Sequence, residues 1–225
     1  MKTETPLVLL LHDEGRSSDQ WREFVPLLES RFRVIAPDLP PGDERAAIEL
    51  VRRSLGGEPC GVIGHGTGGS LAQTLAADGG VEAMVLLDAP RSVAADDRVL
   101  ASFDFPVLLL WGEEDAIVPV SVAEELNDAI ATSTLGLLPG CGHDITDEAP
   151  ATIAPMILEY LRARYLRESH HQAHGPEHAH DGVVRIQLER RPPWVDLEDD
   201  ERDDWFVPED AEADADADDD EEAAP

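Results

Sequence analysis

Val62-Ile63-Gly64-His65-Gly66-Thr67-Gly68-Gly69 is the stretch on which the fold turns. An apolar run ends in three glycines at alternate positions, and a small-residue, Ala/Leu-rich segment, Gly68 to Ala77, follows with helical character. That is a strand, a sharp turn and a helix. Outward from it, Leu7–Leu11, Phe32–Ala36, Ala83–Leu87, Val107–Trp111 and Ser133–Leu138 are further short apolar runs. Several are continuous rather than alternating, as in strands buried on both faces. Helical patterns lie between them. Ser18 is expected to cap a helix carrying Trp21, Val25 and Leu28, Glu44 to Leu55 has helical apolar spacing, and Ser121 to Ala131 has Glu124 and Glu125 in its expected first turn. Ala149 to Leu166 closes the series with Arg162, Arg164 and Arg167 near its end. Alternation of this kind predicts the α/β class: three layers around a doubly wound, mostly parallel sheet of about six strands.

In such sheets the chemistry sits at the C-terminal strand ends. Those ends read His12-Asp13, Pro37-Asp38, Gly64-His65-Gly66-Thr67-Gly68, Asp88-Ala89-Pro90, Gly112-Glu113-Glu114-Asp115 and Gly140-Cys141-Gly142-His143. Taken together, VLLLH followed by Trp21, then FRVIAPDLP, VIGHGTGG, VLLDAP, LLLWGEEDAIVP and PGCGHDITDEAP resemble the α/β-hydrolase superfamily over about 165 residues. The resemblance implies a nucleophile elbow, G-x-S-x-G, whose strained turn presents a serine. Here Gly66 stands at that position and offers no side chain. The resemblance implies that Asp115 and His143 are the acid and base of the triad, and that the oxyanion hole uses the backbone N–H of Thr67 and one near Glu14. The first loop, His12-Asp13-Glu14-Gly15, brings two carboxylates close to that hole, where they oppose a developing oxyanion unless they point away.

Replacement nucleophiles are few. Thr67 is expected to turn its side chain elsewhere, and Ser70 to face packing. Cys141, two residues before His143, is either a thiolate nucleophile or a small packed residue. His65, inside the elbow, belongs to the same pocket. A His143–Asp115 dyad acting on water, or as a general base, needs no nucleophile at all. Two readings follow. One is a degenerate hydrolase site, a pseudoenzyme acting in binding or regulation with a small-molecule ligand in its cleft. The other is an active member using the dyad with water or Cys141. No cofactor and no metal are called for. The resemblance also implies that the family's N-terminal hairpin is missing, and the 14 residues 91–104 leave no room for a helical lid, so the cleft is expected to be open.

Charge divides the chain. The 225 residues carry 48 acids against 17 basic residues, a net −31. Residues 1–168 hold 28 acids and 13 bases, whereas residues 169–225 hold 20 and 4. Such a surface excludes direct nucleic-acid binding and attraction to anionic membranes. The apolar run Leu7–Leu11 is too short for a span or signal core, and two cysteines are too few for a disulfide scaffold, so a cytoplasmic setting is expected. A folded domain is predicted for 1–168. A His-rich linker follows at 169–195, with a short strand at 183–188 able to join an exposed edge, and then a disordered acidic tail at 196–225. Five histidines between His170 and His180 read either as a polar linker or as a metal-affine tract. Trp194, Trp205 and Phe206 in their acidic field read either as anchors for a basic protein partner or as anchors that dock on the domain itself. One Lys against 16 Arg fits both a high-salt setting and a GC-rich genome; a melting temperature that does not rise in molar KCl discards the first.

Overall fold

In the computed structural model, which describes residues 5–167 and 183–185, seven strands form one parallel sheet in the order β2-β1-β3-β4-β5-β6-β7. They are β1 Leu7–Leu11, β2 Arg33–Ile35, β3 Cys60–His65, β4 Val81–Leu87, β5 Val107–Gly112, β6 Ser133–Leu138 and β7 Val183–Arg185. The helices are α1 Val25–Glu29, α2 Glu44–Leu55, α3 Thr67–Ala77, α4 Asp97–Leu100, α5 Val120–Ala129, α6 Ile145–Glu148 and α7 Pro150–Arg167. β1, β3 and β5 are buried along their whole lengths, which is why their runs are continuously apolar. From β1 the chain steps outward to β2, returns past β1 to β3, and then builds in the other direction. The reversal lies between β1 and β3, so the crevice such a sheet offers a ligand opens above their C-terminal ends, at Leu11 and His65.

The expected α/β sheet is present, with one strand more than six. β7 pairs in parallel with the edge strand β6, Leu135 against Val183 and Leu137 against Arg185. The sheet therefore takes in residues from beyond the expected domain boundary at 168. The chain divides into a unit of residues 1–192 and a second of 193–225, and the second lies outside the described residues. The His170–His180 tract and the aromatic anchors from Trp194 onward also lie outside the described residues. Among the described residues no helix is long and apolar enough to cross a membrane.

Two helix expectations are corrected. The segment after β1 is not one helix. A single 3-10 turn, Ser18–Trp21, is capped by the Ser17 side chain, and α1 begins separately with Pro26 in its first turn. Proline has no N–H to continue a ladder but suits a helix start, so it divides the segment. Ser18 instead gives its N–H to Asp38 Oδ1 at 2.7 Å, tying the β1 loop to the β2 loop. In α5 the first turn holds no acid, because the helix starts at Val120 and leaves Glu124 and Glu125 further along.

Glycine is required where α3 leaves β3. A Cβ on Gly68 would lie 2.2 Å from the Leu11 carbonyl oxygen, and one on Gly64 2.5 Å from the Gly68 carbonyl oxygen. Only bare backbones let the turn pack this tightly against β1. The short segment after β4 carries α4 alone; the buried Gln73 holds it down by donating to Pro90 O at 3.0 Å and accepting from Ser92 N at 3.0 Å.

Candidate functional site

Gly66 is the apex of the turn, with φ 52° and ψ −125°, a conformation that side-chain-bearing residues enter only under strain. The space beside it is filled. The Asp13 carboxylate reaches over from the β1 loop, and a Cβ on Gly66 would lie 2.2 Å from its Cγ. Asp13 Oδ1 accepts the Thr67 backbone N–H at 2.7 Å and the Thr67 hydroxyl at 2.9 Å. Asp13 Oδ2 lies 3.3 Å from His143 Nε2, and His143 Nδ1 lies 2.8 Å from Asp115 Oδ2. The structure thus draws Asp13, Gly66, Thr67, His143 and Asp115 into one row, with a carboxylate at each end of the imidazole.

Each member is placed by its neighbours. Asp115 sits in the loop after β5. Its Oδ1 accepts the N–H groups of Ile117 and Val118 at 2.7 and 2.8 Å, and the buried Trp111 pins the same loop through Nε1–H to Val118 O at 2.9 Å. His143 is held through its backbone: its carbonyl accepts from Nε2 of the fully buried His65 at 2.8 Å. Asp13 is held through its own backbone. Its N–H donates to Gln20 Oε1 at 3.2 Å, and its carbonyl accepts from Arg16 N at 3.1 Å and His12 Nδ1 at 2.8 Å. His12 Nε2 accepts from Leu39 N at 2.8 Å, which leaves Nδ1 as the protonated, donating nitrogen.

Two expectations about the oxyanion donors are corrected. The Thr67 side chain does not turn away; it points at Asp13. The Glu14 N–H donates to Thr67 Oγ1 at 2.8 Å and not into an open hole. Of the two acids in that loop, Asp13 turns inward and Glu14 is exposed. The other candidates fall differently. His65 is a packing and backbone-holding residue behind His143, its ring centroid 5.1 Å from that of His143. Cys141 is buried, and burial, with the charges of Glu148, Asp88 and Glu114, raises its thiol away from the thiolate form a nucleophile needs.

The charges in the row are mutually supporting. Burial opposes ionisation of Asp13, but the hydrogen bonds from Thr67 and Glu14 outweigh it and hold the carboxyl below 3.8. Burial likewise opposes charge on His143, but the hydrogen bonds and charges of Asp115 and Asp13 lift it above 6.5. Buried His65 is pushed the other way, below 6.5, so it is the neutral partner of the two histidines. The raised His143 contributes stability in full below 6.5, lost as pH climbs through its folded value. The lowered Asp13 contributes above 3.8, lost as pH falls through its folded value. The pair is therefore most stabilising between about 4 and 6.5. His143 is expected to titrate above 6.5 by NMR and to move down in Asp13→Asn; an unchanged titration in that variant would remove Asp13 from the row.

A cavity of about 560 Å³ opens beside Asp13, between the β1 loop, the Leu39–Glu44 loop and the start of α3. Leu39, Pro40, Pro41 and Leu71 supply apolar wall, and Glu14, Asp43 and Glu44 supply acid. Arg16 on its rim is paired with Asp144 at 3.2 Å and with Asp147.

His12 and Asp88 stand in the sequence reading only as strand ends without a role, and Gln20 does not figure in it. Each is buried, and His12 and Asp88 are polar residues that directly follow apolar runs, which is the signal that singles those two out. Asp88, at the end of β4, has a positive φ of 47° and accepts the Gly112 N–H at 2.9 Å; burial pushes its carboxyl up to about 9.

Comparison with known proteins agrees with this architecture. A model of the alpha/beta hydrolase family matches residues 8–108, and a model described as TAP-like protein matches residues 87–171. The magnesium-chelatase 30 kDa subunit of Rhodobacter capsulatus is 37% identical over 98 residues, covering 37% of this chain and 34% of that protein. A soluble epoxide hydrolase of Corynebacterium sp. is 39% identical over 121 residues, covering 47% of this chain and 41% of that protein. The chain thus spans well under half the length of these curated relatives. The structure of a CIB-like hydrolase from Thermoplasma acidophilum superposes with a TM-score of 0.65 at 22% identity, covering 72% of this chain and 89% of that one. With two family models spanning residues 8–171 between them and a parallel sheet of the matching architecture, the chain belongs to the α/β-hydrolase superfamily.

Proposed function

We propose that the chain is a non-classical member of the superfamily that has lost serine-type acyl transfer and keeps its cleft as a binding site. The observation that carries this reading is the Asp13 carboxylate: it fills the space beside Gly66 and takes the Thr67 N–H. Acyl transfer needs a nucleophile at the apex and an empty donor for the oxyanion. Here the apex has no side chain, and the donor already holds an anion. Losing one such donor costs about 100–1000-fold in rate in known cases. The two carboxylates beside His143 favour its protonated form, whereas an acyl-transfer base must be neutral. The cavity's mixed wall suits a neutral or cationic small molecule, because the acids along it repel anions. The acidic stretch 196–225 adds a second candidate contact, for a basic protein surface.

A second reading rests on the 2.8 Å His143–Asp115 contact, which is the orienting half of a hydrolytic triad. On that reading the dyad activates water once Asp13 moves aside, and the relation to an epoxide hydrolase is one of activity as well as fold. A screen of short-chain p-nitrophenyl esters, together with fluorophosphonate labelling, separates the two. Wild type is expected to show no turnover above background and no labelled serine. Ester turnover that vanishes in His143→Ala would establish the second reading in place of the first.

A further inference from the structure

The sheet has a second hollow at the end away from the crevice. A cavity of about 320 Å³ lies between the C-terminal ends of α2 and α3, over the first residues of β3 and β4. Its wall is aliphatic: Leu9, Leu55, Val62, Leu75 and Val81, with Cys60 among them. Burial, with the charges of Glu82 and Glu58, pushes the Cys60 thiol up to about 12, so the sulfur is a neutral part of that wall. The β3–β4 register shifts between Cys60 and Gly61, and the extra residue in β4 turns Val81 to the same face as Met84, three positions on. Gly57, Gly79 and Gly80 line the mouth and leave it uncovered: a Cβ on any of the three would meet nothing within 4 Å.

Charge decides what such a hollow takes. Among its lining residues Arg52 is one cation against two acids, Glu58 and Asp78. Arg33 holds Glu58 at 2.8 Å, and Arg52 holds Asp78. Arg52 and Asp78 are each about half exposed, so their pairing is screened and opens at little cost. Two helices, α2 of 12 residues and α3 of 11, both end at this mouth. A helix C-terminus carries partial negative charge and carbonyls without intrahelical partners. An anion here would meet two acids and two helix ends of its own sign. A cation would meet one like charge, Arg52, on a long side chain free to swing into solvent. We propose that this cavity binds a small primary amine with an apolar body the size of a phenyl ring, the body against Leu9, Val62 and Leu75 and the ammonium against Asp78 and the last carbonyls of α2 and α3. The volume of about 320 Å³ is at the small end of ligand pockets, which suits one ring and a short arm. The site lies at the opposite ends of β3 and α3 from the elbow and uses none of Asp13, Gly66, Thr67 or His143. It therefore stands or falls separately from the reading of the crevice.

The test titrates the full chain at pH 7 with 2-phenylethylamine, 2-phenylethanol and phenylacetate, which share the ring and differ in the charge of the head, and follows assigned methyl resonances by NMR. The amine is expected to saturate at about millimolar concentration or below and to shift Leu55, Val62 and Leu75. The alcohol is expected to bind about tenfold more weakly, and phenylacetate more weakly still. Asp78→Asn, at a half-exposed position, is expected to melt normally and to weaken the amine by about tenfold while leaving the alcohol unchanged. Arg52→Gln removes the competing cation and frees Asp78, so it is expected to tighten the amine. Amine shifts confined to Leu39 and Leu71 beside the crevice, equal affinity for amine and alcohol, tighter binding of phenylacetate, an amine affinity unchanged in Asp78→Asn, or a weaker one in Arg52→Gln overturns the proposal.

Discussion

Gly66→Ala is expected to lower folding stability by roughly 3 kcal/mol, and about half of that loss should disappear when Asp13 is also replaced by Gly. The new Cβ would lie 2.2 Å from both Cγ and Oδ1 of Asp13, far inside contact distance, so the carboxylate must leave. Its departure gives up two hydrogen bonds to a charged acceptor, from the Thr67 N–H and hydroxyl, each worth about 1.5–3 kcal/mol when the group stays buried. Water that reaches the freed groups returns part of this. The positive φ of 52° adds strain of about 1–2 kcal/mol. In Asp13→Gly the clash is absent, and Gly66→Ala then costs only the strain. The double-mutant cycle should show a coupling of about 1–2 kcal/mol in urea unfolding. Strict additivity would mean that Asp13 does not occupy the apex in solution.

The second large effect has the opposite sign. Asp88→Asn is expected to stabilise the fold by about 2–4 kcal/mol at pH 7, with the gain growing toward pH 9. Burial pushes the Asp88 carboxyl from 3.8 up to about 9, so its contribution is complete below 3.8 and is lost as pH rises through its folded value. Between those limits the unfolded chain is ionised at this position and folding must take up a proton, at about 1.4 kcal/mol per pH unit above 3.8. Asparagine keeps an oxygen for the Gly112 N–H, removes the titration, and accepts the residue's φ of 47° more readily than most side chains. Unfolding free energies for both proteins between pH 4 and 9 are the check. A difference that does not change with pH would show that Asp88 is ionised in the fold.

How far the sequence was legible follows from what kind of signal each feature leaves. The central strands are continuous apolar runs because both faces of the sheet are covered, and the tight turn is written in Gly64 and Gly68 because backbones touch there and in Gly66 because its φ is positive. Asp115 and His143 stand in short loops at strand ends, where position along the chain nearly determines position in space. The direction of Asp13 was not legible in that way. Residues 13 and 14 are both acids on one loop, and which of them turns inward depends on Gln20, His12 and the Thr67 hydroxyl, partners up to 54 positions away along the chain. The split after β1 depended on weighing Pro26 as a helix start against the apolar spacing that runs through it. β7, three residues beyond a polar linker, is a strand because β6 offers an unpaired edge.

The carboxylate seated on the Thr67 N–H is tethered to the same chain, and this changes how the crevice meets the anions around it. A free carboxylate competes for that seat at its bulk concentration, whereas Asp13 competes at a local concentration on the order of millimolar or higher, set by a short loop with fixed backbone. Dilute metabolite acids are therefore outcompeted, not because the seat is poorly built for them but because Asp13 already sits in it. A reversible anionic inhibitor is therefore expected to register at this seat only where its concentration exceeds that local value.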